Sequence, residues 1–198
     1  MGDTMEIQLP DIEEIKLEDV LIKRRSVREY CSSPLTLREL SHILFAAYGV
    51  TDERGFKTVP SAGATYPLEI YVNVRDVVGV EEGVYKYIPE RHSIVRILDE
   101  EVGHELALAA LKQMFIAIAP IVLIIAANYE RTTRVYGDRG FRYVHMEVGH
   151  VAQNVYLMAT SLGLGTVSVG AFYDNEIREI LKIKEYPLLL MPVGRKIE

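Results

Sequence analysis

The stretch RGFRYVHMEVGHVAQNVYLMATSL, residues 139–162, has the strongest periodicity in the chain. Phe141, Val144, Val148, Val151, Val155, Met158 and Leu162 recur at alternating steps of three and four, the spacing that lines one face of an α-helix. Small residues at Gly149, Ala152 and Ala159 form a second stripe beside the first. Apolar and small side chains thus cover most of the circumference. Such a helix is buried on more than one side, in a core, in a subunit interface, or in both.

The flanking sequence supplies a sheet for this helix to pack on. Ile121–Ala127 is a continuous apolar run of strand length. Beyond the helix, Gly163-Leu164-Gly165 marks its end, Thr166–Ala171 reads as a strand, Asp174–Lys182 as a short helix and Pro187–Val193 as a final strand. Nearer the N-terminus, residues 17–25 form a short helix. Thr36 followed three residues later by Glu39 is a capping-box pattern that opens a helix ending near Gly49. A loop from Thr51 to Pro67 follows. Ile70, Val72 and Val74 alternate as in a strand, and Val84–Ile88 with Ile94–Leu98 flank a turn at Pro89–His92 as a hairpin does. Residues 99–113 read as a helix. Strands and helices do not alternate regularly, so the expected class is α+β, a mostly antiparallel sheet packed on a long buried helix, rather than a doubly wound parallel sheet.

The chain has 198 residues, enough for one domain over 17–198 preceded by an N-terminal arm over 1–16. Its net charge is −6, which gives no general reason to bind nucleic acid or an anionic membrane. The single cysteine, Cys31, excludes an intrachain disulfide and a cysteine metal cluster, and suits a cytoplasmic location. The longest apolar run, Ile116–Ala127, contains Pro120 and is too short to span a bilayer. The acidic N-terminus lacks the apolar core of a signal peptide.

Four features carry candidate chemistry. Lys23, Arg24, Arg25, Ser26 and Arg28 form a basic run without an acid. Arginine forks and a serine hydroxyl suit a phosphate; a solvated helix end, where cations favour the dipole, accounts for the same run. Pro60-Ser61-Ala62-Gly63-Ala64-Thr65-Tyr66-Pro67 offers small residues and hydroxyls to a flat ligand, or is a turn between prolines. Val169, Gly170 and Ala171 follow a strand and present backbone donors. Arg195 and Lys196 close the chain, either on the same anion or as a solubilising tail. Gly163-Leu164-Gly165 is no dinucleotide fingerprint, because the third glycine and the preceding strand are missing. His145 and His150 lie about 140° apart on a helix and cannot share a metal, so no metal site is expected. Glu147 and His150, three apart, can meet on one face, where a structural hydrogen bond is expected.

Three motifs taken together, Arg24-Arg25-Ser26-Val27-Arg28-Glu29-Tyr30, Ser61-Ala62-Gly63-Ala64-Thr65-Tyr66-Pro67-Leu68-Glu69 and Glu147-Val148-Gly149-His150-Val151-Ala152-Gln153-Asn154, resemble the nitroreductase superfamily, and within it the SagB-type dehydrogenases. The resemblance spans roughly residues 18–196. It implies a nitroreductase-like α+β fold in an intertwined homodimer with FMN at the interface. It implies that Arg24, Arg25, Ser26 and Arg28 hold the phosphate and ribityl chain, with Arg195 and Lys196 helping. Pro60, Ser61, Ala62, Gly63 and Ala64 would border the isoalloxazine from across the interface, and Val169, Gly170 and Ala171 would contact its reactive face. The implied reaction passes electrons from NAD(P)H through flavin N5 to a small organic acceptor by a ping-pong mechanism, without a catalytic side chain. Oxidation of an azoline or similar dihydro ring, as in the SagB-type branch, is the alternative, and a non-catalytic flavin-binding protein is a third. The chain stops five residues after Val193, so any wrapping of a partner subunit falls to the N-terminal arm or the helices. The segment Tyr129–Tyr143, with Arg131, Arg134, Arg139 and Arg142, either flanks the pocket and receives an anionic group or is a solvated loop entering the long helix.

Overall fold

The computed structural model describes residues 6–8, 10 and 17–197; most of the arm expected over 1–16 lies outside the described residues. In chain order the elements are β1 (Glu6–Gln8), α1 (Leu17–Lys23), β2 (Leu35–Thr36), α2 (Leu37–Tyr48), β3 (Leu68–Val74), β4 (Val77–Val78), β5 (Gly83–Ile88) and β6 (Ser93–Leu98). Then come α3 (Gly103–Ala109), α4 (Phe115–Ile118), β7 (Ile121–Ala127), α5 (Glu130–Tyr136), α6 (Arg139–Ser161), β8 (Leu164–Thr166), α7 (Asp174–Leu181) and β9 (Tyr186–Arg195). Seven strands form one sheet in the order β1-β6-β5-β3-β7-β9-β8, antiparallel at every pairing. β2 and β4 make a separate two-residue parallel pair.

β7 explains the three-layer arrangement. All seven of its residues are buried, as a strand covered on both faces requires. Ile121, Leu123 and Ile125 face α2 and α6 in one core, with Leu40, Ile43, Leu44, Val144, Val151 and Val155. Val122, Ile124 and Ala126 face α3, α4 and α7 in the other, with Leu106, Ile116, Ile177 and Leu181. The capping box forms as the sequence predicts: the Glu39 amide donates to Thr36 Oγ1 (3.2 Å), and the Thr36 amide to Glu39 Oε2 (2.7 Å).

α6 buries Val144, Val148, Val151, Val155 and Ala159, while Arg142, His145, Met146, Gly149, His150 and Gln153 form an exposed strip along its outer side. Phe141, expected in the apolar stripe, is 47% exposed and packs instead against the Tyr129 ring at 5.0 Å. Two further expectations are corrected. The helix expected over 99–113 is confined to Gly103–Ala109, since Leu111 and Lys112 adopt positive φ and break it. The strand expected over Thr166–Ala171 begins earlier and ends at Thr166, because only Leu164–Thr166 reaches β9 in register; Val169 rejoins it as a lone bridge to Leu190.

Candidate functional site

The basic run lies along the β8–β9 edge of the sheet. After α1 the chain becomes extended, with the Val27 amide donating to the Thr166 carbonyl (2.9 Å) and the Cys31 amide to the Arg195 carbonyl (3.0 Å). Gly165 makes this approach possible, because a Cβ there would lie 2.7 Å from the Val27 side chain. These contacts bring Arg24–Arg28, the segment after β8 and the end of β9 into one neighbourhood.

Tyr156 of α6 stands at its centre. Its hydroxyl is 3.1 Å from Ser26 Oγ and accepts the Ser168 amide at 2.8 Å, while the Arg24 guanidinium lies over its ring at 5.2 Å. Burial opposes ionisation of this phenol, but the hydrogen bonds from Ser26 and Ser168 and the Arg24 charge outweigh it and hold its pKa below the ordinary tyrosine value. Sequence reasoning missed Tyr156; its one signal is a polar tip at a position the apolar stripe of α6 skips.

The predicted cations divide into two groups. Arg24, Arg28 and Lys196 form no ion pair among the described residues, and Arg28 and Lys196 are exposed. Arg25 folds back to donate to the carbonyls of Ile22 (3.0 Å) and Arg24 (2.7 Å), the role of a helix-end cation. Arg195 is 3.0 Å from the Glu39 carboxylate. Val169 exchanges two backbone hydrogen bonds with Leu190, and Gly170 and Ala171 are exposed beside it.

The Pro60–Ala64 loop is a turn under strain. Gly63, Ala64 and Tyr66 have φ of 58°, 51° and 43°. Left-handed backbone costs a side-chain-bearing residue on the order of 1–3 kcal/mol, so the surroundings must hold it. They do so from several sides. The Tyr66 amide donates to Ser61 Oγ (3.0 Å), Thr65 and Thr132 share a hydroxyl contact (2.8 Å), Arg131 donates to the Tyr66 carbonyl (2.9 Å), and the Lys57 amide donates to the Tyr66 hydroxyl (3.2 Å). Between this turn and α6 lies a cavity of about 260 Å³, lined by Pro60, Ser61, Ala62, Tyr143, Met146 and His150, with Glu147 at its floor.

Glu147 is 2% exposed and accepts from the Tyr48 hydroxyl at 2.6 Å. Burial pushes its carboxyl above the usual range, offset in part by hydrogen bonds from Ser61 and Tyr48 and by the charges of His150 and Lys57. The expected Glu147–His150 hydrogen bond is not made. His150 Nδ1 lies 3.4 Å from the Pro60 carbonyl, because the buried carboxylate turns inward while the imidazole stays on the outer strip. His145 pairs instead with the Tyr129 hydroxyl (2.8 Å). Among the described residues no group of three potential ligands is placed to hold a metal, and no helix is long and apolar enough to cross a membrane.

The basic run and the loop do not meet within one chain. His150, beside the loop, and Tyr156, beside the run, are separated on α6 by about 120° and about 9 Å. The Tyr129–Tyr143 segment is a helix and the start of another, not a loop. There Arg131 pairs with Glu69 and Arg134 with Glu130, whereas Arg139 and Arg142 line an open concavity of about 750 Å³ with Phe141, His145 and Met146. Asn154 donates to the carbonyls of Ala46 and Thr58 and ties α6 to the end of α2.

Known proteins are similar to this chain in sequence and fold. Trifolitoxin-processing protein TfxB of Rhizobium leguminosarum bv. trifolii is 28% identical over 148 residues, covering 69% of this chain and 38% of that one. An NADPH-flavin oxidoreductase of Vibrio harveyi is 30% identical over 106 residues, covering 50% and 44%. The chain therefore spans less than half the length of either curated relative. A crystal structure from Ralstonia eutropha JMP134, assigned as a nitroreductase, superposes with a TM-score of 0.86 at 28% identity, covering 98% of this chain and 90% of that one. The Nitroreductase family model matches residues 21–195. With a match that runs through nearly all of the described residues, the chain belongs to the nitroreductase family.

Proposed function

We propose that the chain is an FMN-dependent oxidoreductase acting as a homodimer, taking electrons from NAD(P)H and passing them to a small organic acceptor. One observation carries this reading: Arg24 and Ser26 meet Tyr156 at the sheet edge, Arg28 follows two residues on as an exposed cation, and neither arginine forms an ion pair among the described residues. The two guanidiniums with the Ser26 and Tyr156 hydroxyls fit a phosphate dianion, which takes guanidinium and hydroxyl donors together. Lys196 adds a cation at the same edge, and Arg195 joins it on release from Glu39. Bound there, FMN supplies the redox chemistry, accepting a hydride and passing electrons on. The protein binds the phosphate, shapes the slot and excludes water with the Pro60–Ala64 turn and the Val169–Ala171 backbone.

The second copy follows from the separation of these two groups around α6. A turn from a partner chain, carried on the exposed strip of Arg142, Met146, Gly149 and Gln153, closes the slot that one chain leaves half built. Nothing fills the space where a Gly149 side chain would begin, which leaves room for close helix approach. The domain concerned is 17–198, and the setting is the cytoplasm.

A second reading is favoured by the relative named for trifolitoxin processing: oxidation of a dihydro ring in a peptide, the SagB-type chemistry. Purified protein that is yellow, or that takes up added FMN, supports the first premise of both. Anaerobic bleaching by NADH or NADPH supports the reductase reading; reduction by an azoline peptide alone supports the second. Flavin uptake with neither reduction means a flavin carrier, and protein that takes up no FMN overturns all three.

A further inference from the structure

Glu147 is a buried carboxylate that forms no ion pair among the described residues, and such a group costs stability unless its acceptors are used fully. Two hydroxyls are placed to use them: Tyr48 donates at 2.6 Å, and Ser61 lines the same cavity as the carboxyl. An ionised carboxylate only accepts, so a hydroxyl that commits its proton to Glu147 keeps its lone pairs for something else. Ser61 Oγ accepts the Tyr66 amide (3.0 Å), and Tyr48 Oη accepts the Leu68 amide (3.3 Å). The residue between them is Pro67, which has no amide proton. Every backbone donor of residues 66–68 thus ends on one of the two hydroxyls beside this carboxylate. This segment carries the left-handed Tyr66 and ends the strained turn that begins at Ser61. The charged groups nearest the carboxylate are His150, on the outer side of α6, and Lys57, which is held over the Tyr48 ring at 4.3 Å and paired with Glu90 at 3.4 Å. Neither displaces the two hydroxyls.

We propose that Glu147 is a positioning residue for the flavin-ring loop, fixing the Ser61–Tyr66 turn by orienting the Ser61 and Tyr48 hydroxyls as its donors. The functional meaning of this role rests on the flavin reading above; the geometry does not. Glu147 is 2% exposed and its carboxyl is engaged by Tyr48, so its role is exercised through the turn.

The test is native-state amide exchange by NMR on the full chain without flavin, together with FMN titration. Glu147→Gln keeps the volume but offers a donor where one hydroxyl needs an acceptor. It is expected to speed exchange of the Tyr66 or Leu68 amide by about tenfold or more while the core strand amides of β7 are unchanged, and to weaken FMN binding severalfold. Ser61→Ala is expected to release Tyr66 alone and Tyr48→Phe to release Leu68 alone; these keep the test decisive if the Gln variant does not fold. Glu147→Asp, which retains the carboxylate, should recover part of the protection. Unchanged exchange at both amides in all of these variants overturns the proposal, even if the wild type binds FMN normally. Faster exchange in protein that takes up no FMN supports the role of Glu147 on the turn and overturns the flavin reading instead.

Discussion

The two halves of the candidate site are built on opposite principles. The edge formed by the half-buried Arg24 and the exposed Ser26, Arg28 and Lys196 is cationic, and its charges form no ion pair among the described residues. The Ser61–Tyr66 turn is fixed from several sides, strained in its backbone, and anchored on a buried anion. The first half is suited to bind a charged group by attraction; the second is suited to present a fixed shape. Substitutions in the first half should therefore change affinity with little effect on folding, whereas those in the second should change local structure before they change affinity.

The largest expected effect is at the cationic edge. Replacing Arg24 and Arg28 together by Ala removes two charge-assisted donors, each worth roughly 1.5–3 kcal/mol, so FMN affinity should fall by at least about a hundredfold. Thermal stability should fall by no more than about 1 kcal/mol, the scale of the Arg24–Tyr156 ring contact, since Arg28 is exposed. A large loss of stability with affinity retained, measured by calorimetry and flavin fluorescence, would reverse the contrast between the halves.

Tyr156→Phe is next. It keeps the ring under Arg24 but removes the hydroxyl that accepts the Ser168 amide and contacts Ser26. An unsatisfied amide costs about 1–3 kcal/mol, so both stability and FMN affinity should drop, affinity by about tenfold. A change in neither would mean that Tyr156 only packs.

The smallest effect is a pH dependence in the second half. Burial raises the proton affinity of Glu147 in the folded state above its reference value of 4.5. A carboxyl raised in this way favours folding fully when protonated, below that value, and loses the contribution as pH rises through the folded pKa. The stability of Glu147→Gln relative to wild type should therefore improve as pH is raised from about 4.5 towards neutrality. Parallel profiles in thermal melts at several pH values would show that the carboxyl is not raised.

Local patterns made most of the fold legible. The three–four spacing of α6, the Thr36–Glu39 capping box, the hairpin at Pro89–His92 and the apolar run of β7 are set by near neighbours in sequence. The misses depend on distant contacts. β8 is cut short at Thr166 by its register with β9, and the short β2–β4 pair joins residues some forty apart in sequence, so neither has a local signal. α5 escaped because its polar sequence carries no apolar stripe; its packing on the Ala62–Ala64 turn holds it in place. In the site, the basic run and the loop were visible as composition. Tyr156 and the anchoring role of Glu147 were not, since each acquires its partners only when α6 is laid against segments that lie far away in the chain.

The central claim, that Arg24, Ser26 and Arg28 grip the flavin phosphate, is tested most directly by comparing FMN with riboflavin in fluorescence titrations of wild type and the Arg24→Ala/Arg28→Ala double variant. The two ligands differ only by the phosphate. Wild type is expected to bind FMN at least about a hundredfold more tightly than riboflavin, and the double variant to lose most of that difference while binding riboflavin as before. Equal affinities for the two ligands in wild type, or a preference for FMN that survives in the variant, would contradict the claim and place the phosphate elsewhere.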